Sequence, residues 1–147
     1  MNDLHRIIDA NTNRASEGIR VLEDLARFSL NSEPMSESLK VLRHNLQTGV
    51  QSLGINQSTL LASRNTAGDV GTLITTPNEQ SREEGVIDIA TAAAKRSQEA
   101  IRVLEESAKA LGHSGAIFES IRYTLYDIHR DLILKLDQPS VKWAVCV

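Results

Sequence analysis

Four stretches of the chain carry apolar residues at three- and four-residue spacings, the period of a helix with one buried face. The first runs from about Asp3 to Leu30, with Leu4, Ile7, Ile8, Ala15, Gly18, Leu22, Leu25 and Ala26 on one side. The second starts near Ser36 and repeats Leu39, Leu42, Leu46, Val50 and Leu53, with Gly54 as its stop. The third spans about Glu83 to Leu111 through Ile89, Ala93, Ala100, Ile101, Leu104 and Ala108. The fourth follows Ser114, a good N-cap, with the stripe Ile117, Ile121, Leu125, Ile128, Leu132 and Leu136. No stretch alternates as a strand does, apart from an extended tail at Trp143–Val147.

The stripes are not independent. Arg14, Glu17, Ile19, Arg20, Val21, Leu22 and Glu23 recur as Arg96, Glu99, Ile101, Arg102, Val103, Leu104 and Glu105, each 82 positions later. The helix after each copy also matches, Leu42-Arg43-His44-Asn45-Leu46 beside Ile121-Arg122-Tyr123-Thr124-Leu125. A single hairpin cannot cover its own apolar face. The expected fold is therefore all-α: a four-helix antiparallel bundle built from two pseudo-twofold-related hairpins. Residues 1–137 form that domain, with a central loop at 55–79, and residues 138–147 are a C-terminal tail. The loop closes on Thr76-Pro77-Asn78-Glu79, a capping-box pattern leading into the third helix. The tail is expected to dock on the bundle or on a second copy, which favours a homo-oligomer, because an exposed Trp-Val run invites association.

Composition narrows the function. Sixteen basic against nineteen acidic residues give a net charge of -3, and only five residues are aromatic. Neither a basic face nor a stacking surface for nucleic acid is available. Cys146 is the single cysteine, so disulfides and cysteine-based zinc sites are excluded. Residues 44–63 lack formal charge but are rich in Asn, Gln, Ser and Thr, so they do not span a membrane. The expected location is the cytoplasm.

Chemistry-bearing residues concentrate in two places. The loop holds Arg64, Thr66, Gly68, Asp69, Gly71 and Thr72. Glycines let backbone N–H groups approach a phosphate, arginine adds charge and a fork of donors, and Asp69 suits Mg²⁺ on that phosphate. A plain Gly-Asp turn fits the same residues. Lacking a helical stripe, Arg64 and Asp69 are expected to add little to packing. On the first helix, Asn11 falls inside the apolar face and Arg14 at its edge. A buried amide requires partners, so Asn11 is either a satisfied packing device or a ligand contact. Its repeat equivalent is Ala93, whereas Arg14 returns as Arg96. Asp9 is a metal ligand, a base, or a surface carboxylate. A pseudo-axis that joins the two copies would gather Arg14, Lys95 and Arg96 around one polar cleft, extended by Arg122 and Tyr123. Glu17, Arg20 and Glu23 read mainly as helix-supporting pairs. The four histidines have no zinc-ligand spacing.

The segment Ile8-Asp9-Ala10-Asn11-Thr12-Asn13-Arg14-Ala15-Ser16-Glu17-Gly18-Ile19-Arg20-Val21-Leu22-Glu23-Asp24 resembles the opening signature of a small all-α domain. That domain is often fused to the N-terminus of bacterial thiamine phosphate synthases. Residues 64–72, 95–106 and 121–126 resemble its second, third and fourth signatures, and the likeness covers about residues 4–130. Asn65 stands where the family commonly has aspartate. The resemblance implies a hydroxymethylpyrimidine phosphate kinase, with ATP as cosubstrate and Mg²⁺ as cofactor. On that enzyme reading Arg64, Asp69 and Arg14 are the candidate catalytic residues, and Asp9 and Asp69 the candidate metal ligands. Substrate contacts would come from Asn11, Asn13, Lys95, Arg96, Thr66, Gly68, Gly71, Thr72 and Arg122. Small-molecule phosphates, and a thiamine phosphate synthase, are the implied partners. The synthase itself is not expected within this chain, because its βα barrel needs about 200 residues. The alternative is a non-catalytic helical module that binds a thiamine precursor or accompanies the synthase. A kinase should leave Asn11, Arg14 and Arg96 unpaired beside a cavity, and a scaffold should pair them or replace them with apolar residues.

Overall fold

The computed structural model describes residues 2–76 and 81–138. These residues fold into five α-helices with one π turn and one 3₁₀ turn, and no strand occurs among them. The helices are α1 (Asn2–Asp24), α2 (Glu33–Gln51), α3 (Gln57–Ser63), α4 (Val86–Ala110) and α5 (Ala116–Leu136). Among the described residues no helix is long and apolar enough to cross a membrane. Most of the loop-closing motif Pro77–Glu79 and the tail at 139–147 lie outside the described residues.

The expected stripes form the core. Ile8, Ala15 and Leu22 of α1, the α2 leucines 39, 42 and 46, Ile101 and Leu104 of α4, and Leu125 and Leu132 of α5 are all buried. Phe118, outside the expected stripe, is fully buried and packs against Gly49. Ile7 is the exception: it stays 42% exposed and faces a cleft instead of the core.

Helix α1 packs most extensively on α4, while α2 lies against α1 and α5 against α4. The α1–α4 crossing is close because Gly18 has no side chain. A Cβ there would overlap the Ser97 hydroxyl and stand 2.8 Å from the Ala93 carbonyl. At the same crossing the Ser97 hydroxyl donates to the Ala15 carbonyl at 3.3 Å. Each long pair is also locked by one ion pair. Arg43 of α2 reaches Glu23 of α1 at 3.1 Å, and Arg122 of α5 reaches Glu105 of α4 at 3.2 Å.

The boundaries depart from expectation for local reasons. Helix α1 runs into a π turn at Leu25–Ser29, then stops at Asn31, whose φ of 51° is left-handed. The Ser32 N–H closes the end by donating to the Ala26 carbonyl at 2.9 Å. Ser32 then caps α2 by accepting from the Met35 N–H, with proline in the first turn, so α2 begins before Ser36. Helix α4 begins at Val86 instead of Glu83, after Gly85 at a φ of 65°. Gly115 takes the cap position of α5, while the Ser114 hydroxyl still accepts from the Ala116 N–H. The central loop is not wholly irregular: α3 interrupts it and packs on α1 through Leu60.

Candidate functional site

An open cleft of about 610 Å³ lies between the first half of α1 and the segment after α3. Asp3, Arg6, Ile7, Ala10, Asn13 and Arg14 stand at three- and four-residue steps along α1 and form its floor. Asp9 and Asn11 line it from within the helix, and Arg64, Asn65, Thr66 and Asp69 supply the other wall.

The two walls are tied by one contact. The Arg64 guanidinium donates from Nε and Nη2 to both oxygens of Asp9, each at 2.8 Å. This hydrogen bond, followed by the charge of Asp9, raises the pKa of Arg64 above its ordinary value. Asp9 is buried, so the pair also satisfies a carboxylate withdrawn from water. The expectation that Arg64 adds little to packing is corrected here, because it anchors the loop to α1.

The loop spends its own donors internally. The Gly68 N–H donates to Asn65 Oδ1 at 2.9 Å, and the Gly71 N–H donates to Asp69 Oδ1 at 2.8 Å. The Thr72 hydroxyl donates to the Asp69 carbonyl. Gly68, Gly71 and Thr72 therefore shape the loop, and none of them lines the cleft, whereas Thr66 does. Asparagine serves at position 65 because its side-chain oxygen accepts the Gly68 bond as a carboxylate would.

The free donors come from α1. Among the described residues Arg6 and Arg14 form no ion pair, although both line the cleft. Asn13 stands between them and is exposed. Asn11 is buried, and its amide donates to the Ile7 carbonyl at 2.8 Å, so its N–H side is partly satisfied by its own helix. Asp3 and Arg6 carry no mark in the sequence motifs, whereas Asn65 stands out there only as a departure from aspartate. The signal for Asp3 and Arg6 was their helical register with Asn13 and Arg14.

Three expected site residues lie elsewhere. Lys95 and Arg122 share a separate depression on α4 and α5. Arg96 faces a third, beside Glu17 and Gly18. Crossing at Ala15 and Ser97 turns the two copies of the motif apart, so Arg14 and Arg96 open onto different depressions.

For Mg²⁺, among the described residues no group of three or more His, Cys, Asp or Glu side chains is arranged to hold a metal ion. Both oxygens of Asp9 are engaged by Arg64, whereas Asp69 commits only Oδ1. That set fits an ion carried in mainly by phosphate oxygens and waters, with one protein carboxylate.

A family model described as the ThiD2 family matches residues 6–131. A thiamine-phosphate synthase of Rhodopirellula baltica is 46% identical over 132 residues, which is 89% of this chain and 34% of the relative. A thiamine-phosphate synthase of a Nostoc species is 36% identical, covering 88% of this chain and 35% of the relative. One of Synechocystis is 38% identical, covering 87% and 36%. The chain thus spans about a third of the length of these relatives. No solved structure matches.

Proposed function

The chain belongs to the ThiD2 family, and from that premise we propose that it phosphorylates hydroxymethylpyrimidine phosphate to the diphosphate with ATP. The observation that carries this reading is the α1 cleft, where Arg6 and Arg14 have no carboxylate partner among the described residues and stand beside amides, a threonine and Asp69. Phosphoryl transfer between two phosphates requires positioning and charge neutralisation more than a strong base. An oxygen of the acceptor phosphate forms the new bond to the γ-phosphorus, the bond to the ADP oxygen breaks, and ADP leaves with that electron pair. Arg14 and Arg6 neutralise the crowded oxygens, and Asn13 and Asn11 offer amides to the aminopyrimidine edge. Asp69, whose Oδ2 is uncommitted among the described residues, would hold a Mg²⁺ accompanying the nucleotide, and that ion would supply charge withdrawal from the phosphates. Arg64 and Asp9 act as positioning residues by setting the loop against α1.

The architecture belongs to the same proposal: an antiparallel four-helix bundle of two pseudo-twofold-related hairpins, with α3 as an addition. Ala15 and Ser97 are equivalent under the repeat and touch each other, as residues beside a twofold axis must. The Glu23–Arg43 and Glu105–Arg122 pairs are equivalent as well.

The test is incubation with ATP, Mg²⁺ and hydroxymethylpyrimidine phosphate, followed by chromatography for the diphosphate. Product that depends on all three supports the reading. Binding of the pyrimidine phosphate without turnover replaces it with the non-catalytic module.

A further inference from the structure

We propose that the open depression of about 480 Å³ formed by α4 and α5 is a second binding site, which takes the phosphate group of a small molecule. Lys95, Gln98, Glu99, Arg102, Arg122 and Tyr126 line it, and it shares no residue with the α1 cleft.

Unused donors carry the inference. Arg122 is buried, and its Nη2 donates to Glu105 at 3.2 Å while its Nη1 reaches the Tyr126 hydroxyl at 3.5 Å. Its Nε is buried and has no partner among the described residues, and the same holds for the side-chain nitrogen of Gln98. Buried N–H groups are nearly always satisfied, because each orphan costs stability. Two of them sit on residues that line one depression, and an acceptor oxygen there would offer the partner they lack once the side chains turn to it.

The ion pair itself does not demand the orphan. In the preceding hairpin Arg43 directs both Nε and Nη2 to Glu23 Oε2, at 3.3 and 3.1 Å. Arg122 holds the matching position in its helix yet leaves Nε spare. Its partner Glu105 is already surrounded, accepting from Arg122 and pairing with Arg102 at 3.1 Å and with Lys109 at 3.6 Å.

The open cation selects an anion. Of the lining cations Lys95, Arg102 and Arg122, the two arginines are held by Glu105 and Glu106, and Glu99 is the lining carboxylate. Among the described residues Lys95 makes no ion pair. Tyr126, which accepts from Arg122, keeps its own O–H to donate. Arg122 and Arg102 are already paired with Glu105 and Glu106, so Lys95 is the cation left to meet a ligand, and it stands with donors from two helices, an arrangement that suits a phosphate group more than a neutral ligand.

The test follows the Arg122 Nε–H by ¹⁵N NMR of the full chain, assigned by its loss in Arg122→Lys or by its cross-relaxation with Tyr126. Inorganic phosphate and phenyl phosphate are titrated separately at fixed ionic strength. The expected result is a saturable shift of that resonance with phenyl phosphate. Affinity should fall about tenfold in Lys95→Gln, as for loss of one charged hydrogen bond, and stay unchanged in Arg14→Ala. No saturable shift overturns the site. A shift lost in Arg14→Ala but kept in Lys95→Gln assigns the binding to the α1 cleft and overturns it equally. Saturation by inorganic phosphate alone reduces it to an adventitious ion only.

Discussion

Arg64 grips Asp9 with two hydrogen bonds of 2.8 Å each, and this contact joins residues 55 positions apart. The guanidinium remains 43% exposed while the carboxylate is 9% exposed, so the pair sits at the boundary between cleft and core. Its effect is geometric. It fixes the start of the loop that carries Asn65, Thr66 and Asp69, and so sets the width of the cleft.

Arg64→Ala should therefore free the loop without unfolding the helices. Amide exchange across residues 65–74 should quicken, while protection in α4 and α5 stays as it was. Turnover should drop on the order of a hundredfold, the scale of a misplaced catalytic geometry. Arg64→Lys should restore only part of it, because an ammonium cannot make the forked contact. Unaltered loop exchange in Arg64→Ala would show that the pair is not the anchor.

The two hairpin ion pairs differ in depth, and their loss should differ accordingly. The Glu105 side chain is 1% exposed and serves Arg122, Arg102 and Lys109. Glu105→Ala strands a buried guanidinium and should cost about 3–5 kcal/mol. Glu23 and Arg43 are 11% and 29% exposed in their side chains, so Glu23→Ala should cost clearly less. Urea unfolding of the two variants compares them, and equal losses would contradict the difference in burial.

Much of this arrangement was legible in the residues. The repeat placed Glu23 and Glu105 as copies and Arg43 and Arg122 in matching helices, but Glu23 read as a helix-supporting residue and Arg122 as a substrate contact, and only the fold joins them as ion pairs across each hairpin. The repeat did not announce where the copies lead. Residues beside the crossing, such as Ala15 and Ser97, meet, while Arg14 and Arg96 diverge to separate surfaces. Helix α3 was hidden because seven residues with one buried leucine show no period. Ile7 misled for the opposite reason: it stands in apolar register, yet α1 is lined by the cleft there and not by a neighbouring helix. Arg64 and Asp9 each carried a signal, but only the fold pairs them.

Gly18 permits the α1–α4 crossing, so Gly18→Ala should destabilise by about 1–3 kcal/mol, the usual cost of overpacking. Ser97→Gly on that background should recover part of the loss by removing the overlapped hydroxyl. It cannot recover all of it, because the Ala93 carbonyl at 2.8 Å is backbone. Thermal melts of the single and double variants measure this, and an unchanged midpoint in Gly18→Ala would mean that the helices separate at little cost.

His129 gives the protein an acid-side weakness. Burial lowers its pKa from the ordinary 6.5, and its Nε2 is buried without a partner among the described residues. The unfolded chain therefore binds a proton near pH 6.5 that the folded chain refuses until lower pH. Stability rises with pH wherever the unfolded state holds more protons. From this group it should be constant above that pH and decline as the pH falls below it. His129→Gln should flatten the decline between about pH 7 and 5.5, above the main titration of the carboxylates. An identical slope in the variant would assign it to other groups.

Arg14 offers the cleanest separation of function from fold. It lies on the exposed face of α1, lines the cleft and, among the described residues, forms no ion pair. Nothing in the packing depends on its charge, so Arg14→Ala should move stability by no more than about 0.5 kcal/mol, as for surface positions generally. If it neutralises oxygens that crowd in the transition state, its removal should lower kcat on the order of a hundredfold. Arg14→Lys should recover more than Arg14→Ala, since the charge returns without the fork. A fall confined to KM would mean that Arg14 binds substrate and transition state equally. A large drop in melting temperature would make it structural. Undiminished turnover would leave Arg6, two helical turns earlier on the same face, as the cation that does this work.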